Sequence, residues 1–286
     1  MTSPDAEQPL TFLYKYRSIS FNEDGKSIEE KLESCNTIRG LIEHKIALSN
    51  RKAFNDIFDS QINLIRPTAT EIKKIGEKNI ALSMLNEFKS MYKNGKLTNS
   101  GIAILQKLET TFNSTIDKYA FLCLSKRCDS NLMWAHYGSN HTGICIEFNA
   151  KKIPATKVEY KDSLKEIELI HLIKAHYTKT KAPEIVLDQS KEIWEGLTTK
   201  LKEWEYEDEY RFQSGNREVE AKFAAGHHYH LESYDPDFVN SIIFGVRTTK
   251  EVKEYIIKNL TYKTLFKQAR ATKSGKILIE PYQASA

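Results

Sequence analysis

The sequence lacks a disulfide framework. Its four cysteines, Cys35, Cys123, Cys128 and Cys145, are too few and too scattered for one, and they read as reduced thiols of a cytosolic chain. No apolar run approaches the roughly 20 residues that cross a bilayer. The opening Met1-Thr2-Ser3-Pro4-Asp5-Ala6-Glu7 has no basic-then-apolar pattern of a secretory signal. The expectation is therefore a cytoplasmic protein with no membrane partner. Charge of one sign is lacking as well: 42 Lys and Arg stand against 38 Asp and Glu, interleaved, for a formal net charge of +4. That balance permits nucleic-acid binding without arguing for it. Gly-x-Gly-x-x-Gly, Gly-x4-Gly-Lys-Ser/Thr, Gly-x-Ser-x-Gly and His-Glu-x-x-His are all missing. Dinucleotide-binding Rossmann, P-loop, α/β-hydrolase and zincin assignments lose their usual support.

What remains is a chain of 286 residues with 40% hydrophobic and 28% charged residues, enough to bury a core without staples. The reading is an α+β fold with a mixed, mainly antiparallel sheet flanked by helices. A leader covers residues 1–10, and one domain covers 11–286 with a helical insertion at about 65–117. Alternation predicts strands at Thr11–Arg17, Lys45–Ser49, Tyr119–Ser125, Gly143–Phe148, Thr156–Tyr160, Glu209–Phe212, His228–Leu231, Ser241–Phe244 and Lys276–Glu280. Along Gly143–Phe148 it sets Ile144, Ile146 and Phe148 on one face, and Cys145 with Glu147 on the other. Helical spacing predicts helices over 37–44, 71–93, 99–116, 132–137, 163–177, 183–204 and 249–259.

Three stretches have residue types suited to chemistry. In an extended chain Glu207 and Glu209 share a face about 7 Å apart. Like charges that close separate their pKa values, which equips them to activate a nucleophile and to stabilise a cationic centre at a sugar carbon. The same residues also suit an acidic turn neutralised by Arg211, although Trp204, Tyr206 and Tyr210 beside them can flank a flat ring. The second stretch runs from Asn131 to Gly143. Met133, Trp134 and Tyr137 form an apolar helix face there, and His136 and His141 are either packed side chains or proton carriers. A four-ligand zinc set of Cys123, Cys128, His136 and His141 is disfavoured because Cys123 lies in an apolar strand. His227, His228 and His230 read as a surface strand, and no metal is expected. The third stretch, Lys263 to Lys276, carries five cations and no acid, and reads as a solvated strand edge before a phosphate-binding strip.

A set of ordered motifs resembles a bacterial domain-of-unknown-function family, number 2971. They are Tyr14-Lys15-Tyr16-Arg17, Ala47-Leu48-Ser49-Asn50 with Phe54-Asn55-Asp56, Leu124-Ser125 with Leu132 to Tyr137 and Gly143 to Phe148, Trp204 to Arg211, and Ile242-Ile243-Phe244-Gly245. A second resemblance is to ADP-ribosyltransferases, which place an Arg on an early strand, a Ser or Tyr on a central one and Glu-x-Glu late in the chain. It implies an ADP-ribosyltransferase-like fold with NAD as substrate. Arg17, with Tyr16 beside it, would hold the diphosphate or ribose, Ser125 the nicotinamide ribose, and Trp134 or Tyr137 the nicotinamide ring. Glu209 would stabilise the oxocarbenium-like transition state, Glu207 would position or deprotonate the acceptor, and His136 would carry protons. The acceptor would be a nucleic acid or a protein, in a toxin or antiphage effector with an immunity or regulatory partner. The alternatives are an NAD glycohydrolase and a nucleic-acid-binding or processing module that stacks bases on Trp134, Tyr137 and Trp204.

Overall fold

The fold is given by a computed structural model, which describes residues 10–21, 26–178, 183–213, 222–224 and 227–283. Apart from Leu10, the expected leader lies outside them, as do the side chains of His227 and His228. The chain divides into two compact units: residues 1–49, 120–158 and 203–286 form the first, and 50–119 with 159–202 the second.

The first unit is built on an eleven-stranded sheet. In chain order its strands are β1 (Phe12–Arg17), β2 (Lys45–Ser49), β3 (Phe121–Ser125), β4 (Ile144–Asn149), β5 (Thr156–Lys157), β6 (Glu209–Gln213), β7 (Lys222–Ala224), β8 (His227–Ser233), β9 (Val239–Phe244), β10 (Leu265–Ala271) and β11 (Ile277–Pro281). The spatial order is β7-β8-β2-β3-β1-β4-β9-β10-β11, with β6 bonded to β3 and β5. Only β9 and β10 run parallel.

The sheet branches at β3. Along one edge β6 pairs with all of it, from Glu209 opposite Ser125 to Gln213 opposite Phe121. The other edge is shared: β1 meets it only at Ser125, through Tyr14, and β2 only at Phe121, through Ser49. Between those two points the ladder is open. Cys123, in the middle, is partly exposed, while its four strand neighbours are buried.

Both faces of the sheet are covered, which is why β4 is buried along nearly its whole length. One face packs Leu13, Leu122, Leu124, Ile144, Ile146 and Phe148 against helices α1 (Ile28–Ser34), α2 (Asn36–Ile42) and α4 (Lys250–Asn259). The other packs Tyr16, Cys145 and Ile243 against Met133 and Trp134 of the short helix α3 (Asn131–His136). The period-2 split expected along β4 is this division. Helix α1 stands where loop or ragged helix was expected. Its start is set by a capping box in which Ser27 and Glu30 exchange bonds.

In the second unit Asn99–Ile116 is a single helix, capped by Thr98, whose hydroxyl accepts from Gly101 N–H at 3.0 Å. The expected insertion at 65–117 lies wholly in this unit, which also takes in 50–64 and 159–202. The helix expected over 71–93 is not continuous. It is a helix at Ala69–Lys74, then 3₁₀ turns, then a helix at Leu85–Ser90 and a hairpin of Tyr92–Lys93 with Lys96–Leu97. Gly76 at φ 80° ends the first piece, and Asn94-Gly95 at φ 49° and 73° turns the hairpin. The same apolar residues, Ile72, Ile75, Ile80, Phe88 and Met91, still form the core with Leu105, Leu169 and Ile173. Helix onset also differs at 163–177: Lys165–Glu168 is a strand paired with Ile62–Ile65, and the helix begins at Leu169. The helix from Pro183 stops at Leu197, not Trp204, and Thr199–Leu201 is a strand on Glu159–Lys161.

Candidate active site at the branch of the sheet

The Glu207 and Glu209 pair lies at the Ser125 end of β3. The chain is not extended there, contrary to expectation. Glu207 ends a 3₁₀ segment, Lys202–Glu207, and Asp208 is left-handed at φ 44° before β6 begins at Glu209. A non-glycine residue in that region is strained, and Asp tolerates it better than most. The turn is clamped from β3: Ser125 Oγ donates to the Glu207 carbonyl at 2.6 Å, and Lys126 N–H donates to the Asp208 carbonyl at 2.9 Å. Ser125 Oγ also accepts from Arg127 N–H at 3.1 Å. With its one proton committed and 1% exposure, Ser125 holds the turn. The expected contact of this hydroxyl with a ribose is not available in this arrangement.

Both carboxylates are buried, Glu207 at 3% and Glu209 at 4% exposure. Arg211, fully buried, grips Glu209 with Nε at 2.8 Å and Nη2 at 3.1 Å. Its guanidinium also lies 5.7 Å from the Phe121 ring centroid. Such a fork on a carboxylate fixes orientation as well as charge. Glu207 Oε1 accepts a short bond, 2.6 Å, from the Tyr137 hydroxyl at the end of α3. Two carboxylates with different partners thus stand side by side.

The other expected site residues separate into three groups. Tyr137 belongs to the corner. Exposed His136 flanks it, its ring 6.4 Å from Tyr137 and 6.1 Å from Tyr206, which in turn lies 6.0 Å from Trp204. Trp134 and Tyr16 are core. Trp134 has no exposed surface, donates Nε1 to the Cys128 carbonyl at 2.9 Å and meets the edge of Tyr16 at 5.0 Å. Tyr16 gives its hydroxyl to the Arg127 carbonyl at 2.9 Å. Neither can pack on a nicotinamide without dismantling that contact, so their expected binding role is corrected. Arg17 is displaced from the group altogether. By register Tyr14, Ser125 and Glu209 share one face of the sheet, whereas Arg17 alternates with them on the side of Leu13. Burial lowers the Arg17 pKa, and the group that acts against this is Cys35, on the α1 and α2 side.

The β1 cation that reaches the corner is Lys15. Its Nζ donates to the Cys123 carbonyl at 2.9 Å, inside the open part of the ladder. Burial lowers its pKa, while Cys123, Glu209 and Glu207 act in the opposite sense. Next along the same face is Glu147, opposite Tyr14 in register. It accepts from Tyr14 Oη at 3.1 Å, Asn240 Nδ2 and Ser241 Oγ at 2.5 Å each, and Lys267 Nζ at 2.7 Å. Burial pushes its pKa up, but those bonds outweigh burial and hold it below the ordinary carboxylate value.

Residues 133–212 match the model of a family described as protein of unknown function (DUF2971). The matched span holds the α3, β4 and Trp204 to Arg211 motifs, so it contains both glutamates and Tyr137. The β1 motif and Ser125 fall outside it. Neither the curated proteins nor the solved structures give a match. Among the described residues no cluster of three or more His, Cys, Asp or Glu could hold a metal ion. Nor is any helix among them long and apolar enough to cross a membrane. The four cysteines are free thiols. The Lys263 to Lys276 cations are in part already engaged, Lys267 by Glu147 and Arg270 by Glu280 at 2.8 Å. That leaves the solvated strand edge as the better account of the stretch.

Proposed function

We propose that the branch of the sheet is the active site of an NAD-using, ADP-ribosyltransferase-like enzyme, or of its hydrolytic counterpart, an NAD glycohydrolase. One observation carries the reading. Three strands distant in sequence, β1, β3 and β6, are neighbours, with Tyr14, Ser125 and Glu209 in one row across them. The resemblance to transferases requires that adjacency of early, central and late strands. Arg17 is no longer part of the constellation, and Lys15 takes its place as the β1 cation.

In this reading Glu209 receives the 2′-hydroxyl of the nicotinamide ribose. Arg211 uses two of its acceptor positions and a carboxylate offers about four. As the bond between C1′ and the nicotinamide nitrogen breaks, its electron pair leaves with the ring, and the oxocarbenium charge at C1′ is stabilised by the fixed carboxylate. Glu207, oriented by Tyr137, takes the proton of the attacking acceptor or water as the new bond to C1′ forms. The test is release of nicotinamide from NAD by the purified chain. Glu209→Gln should lower release by at least about 100-fold, the scale of losing one aligned electrostatic group, with circular dichroism unchanged. Absence of release with water, protein or single-stranded nucleic acid as acceptor would remove the proposal.

A second reading, a base-stacking module, is favoured by the row of Trp204, Tyr206, His136 and Tyr137 rings. Trp134 drops out of it because it is buried. Salt-sensitive oligonucleotide binding, weakened by Trp204→Ala and without nicotinamide release, would favour this reading over the first.

A further inference from the structure

The open stretch of the β3 edge poses a bonding problem that Lys15 solves. Between Tyr14 opposite Ser125 and Ser49 opposite Phe121 no strand covers that edge, yet buried carbonyls are almost always bonded. The Cys123 carbonyl there is met by an ammonium group. A neutral donor would satisfy the carbonyl equally well. Among the described residues Lys15 makes no ion pair, so its full charge is not quenched by a partner in contact. Across β3, Cys123 stands opposite Arg211, two residues from Glu209 opposite Ser125. Arg211 spans both oxygens of Glu209 and is therefore aimed at that residue, not at Glu207.

Resting on the proposed reaction, we infer that Lys15 is a positioning residue: its ammonium, seated on the Cys123 carbonyl in the gap between β1 and β2, is the counter-charge that keeps Glu207 and Glu209 ionised for their parts in catalysis. The groups facing this pair are Arg211 on β6, Tyr137 at the end of α3, and Cys123 on β3 beside the ammonium; Arg17 neighbours Lys15 on β1. Arg17 lowers the Lys15 pKa and the two glutamates raise it, so the reciprocal effect of Lys15 on the glutamates is to lower theirs. An ordinary structural lysine would contribute its bond to the carbonyl and nothing more.

Lys15→Gln separates the two roles, because its amide can still donate to the Cys123 carbonyl while the charge is gone. Two measurements on the full chain decide the matter. One is the pH profile of nicotinamide release; the other is the titration of side-chain carboxyl carbons by NMR, with Glu207→Gln and Glu209→Gln used to assign signals. In Lys15→Gln the acid limb of the profile and the assigned carboxyl titration should both move up by about one pH unit, and Lys15→Arg should restore them. If Lys15→Gln lowers release equally at every pH and leaves both titrations in place, the inference is overturned while the proposed reaction stands. If the wild-type chain releases no nicotinamide but the titrations move as stated, the reaction fails and the electrostatic role of Lys15 stands. If Lys15→Gln does not fold, an unshifted titration in Lys15→Arg and a normal fold in Lys15→Met would also overturn it, because they would leave the charge without effect.

Discussion

Glu147 and Glu209 lie on the same face of one sheet, in a row that runs through Tyr14 and Ser125, yet they are held in opposite ways. Glu147 gathers donors from three other strands, Tyr14 on β1, Asn240 and Ser241 on β9, and Lys267 on β10. Glu209 is gripped from its own strand, by Arg211 two residues away. A carboxylate that ties four strands resists unfolding, because losing it disturbs every ladder it bridges. One gripped locally contributes little to assembly of the sheet, and its orientation is set before any neighbour arrives. The first arrangement suits architecture and the second suits a site.

The largest effect that tests this contrast is expected at Arg211. Arg211→Leu strands a buried carboxylate and should cost about 3–5 kcal/mol. Arg211→Leu with Glu209→Leu should recover most of that, because a well-packed apolar pair often replaces a buried ion pair without loss. Urea midpoints at constant slope measure both, and a double variant no more stable than the single would break the local-pair account. Glu147→Gln comes next, at about 2–3 kcal/mol, the scale of bonds to a charged group. Here no single partner substitution should compensate, since the remaining donors come from different strands. Restoration of wild-type stability by adding Lys267→Met would contradict the four-strand account.

Acid should expose the same carboxylate. Its folded pKa is depressed below the ordinary 4.5, so its stabilisation is fully present above that value and is lost as pH falls through the folded pKa. The wild-type unfolding free energy should therefore fall more steeply below about pH 4.5 than that of Glu147→Gln. Parallel curves would mean that Glu147 titrates alike in the folded and unfolded chains. Ser125→Ala, which leaves the Glu207 carbonyl without its hydroxyl donor, should cost about 1–2 kcal/mol. Its effect on nicotinamide release should exceed its effect on stability if the clamp aligns Glu207. At the small end, Lys273→Ala on the β10 to β11 edge should stay within about 0.5 kcal/mol.

Much of this sheet could be read from alternation alone. Ile144, Ile146 and Phe148 against Cys145 and Glu147 is a period-2 pattern, and β4 obeys it. The helix at Asn99–Ile116 was legible for the same kind of reason, a regular apolar stripe behind a Thr cap. Periodicity failed where turn chemistry competes with it. The stripe from Ile72 to Met91 is buried as a stripe should be, but Gly76 and Asn94-Gly95 break the chain that carries it. Those three residues were the available signal, and they outweigh spacing because φ above zero is a steric demand.

The candidate site was legible as a set of residues, not as a geometry. Glu207, Glu209 and Tyr137 come together, but the extended spacing assumed for the glutamates is replaced by a left-handed Asp208. Aromatic residues on a short helix face give one pattern whether they line a pocket or fill a core, so Trp134 could not be sorted by sequence. Lys15 and Arg17 differ only in which side of β1 they occupy, and that follows from pairing with strands more than 100 residues away. Arg211 was named as a neutralising charge, and the structure gives it that part at Glu209.

Asp208 has one more implication. The two glutamates belong to different pieces of backbone, one ending a 3₁₀ turn and the other opening a strand, and a single torsion joins them. Their mutual angle therefore works like a latch set by one pin. Sequence drift can change side chains around the corner freely, whereas inserting or deleting one residue between 207 and 209 would swing one carboxylate away from the other at a stroke.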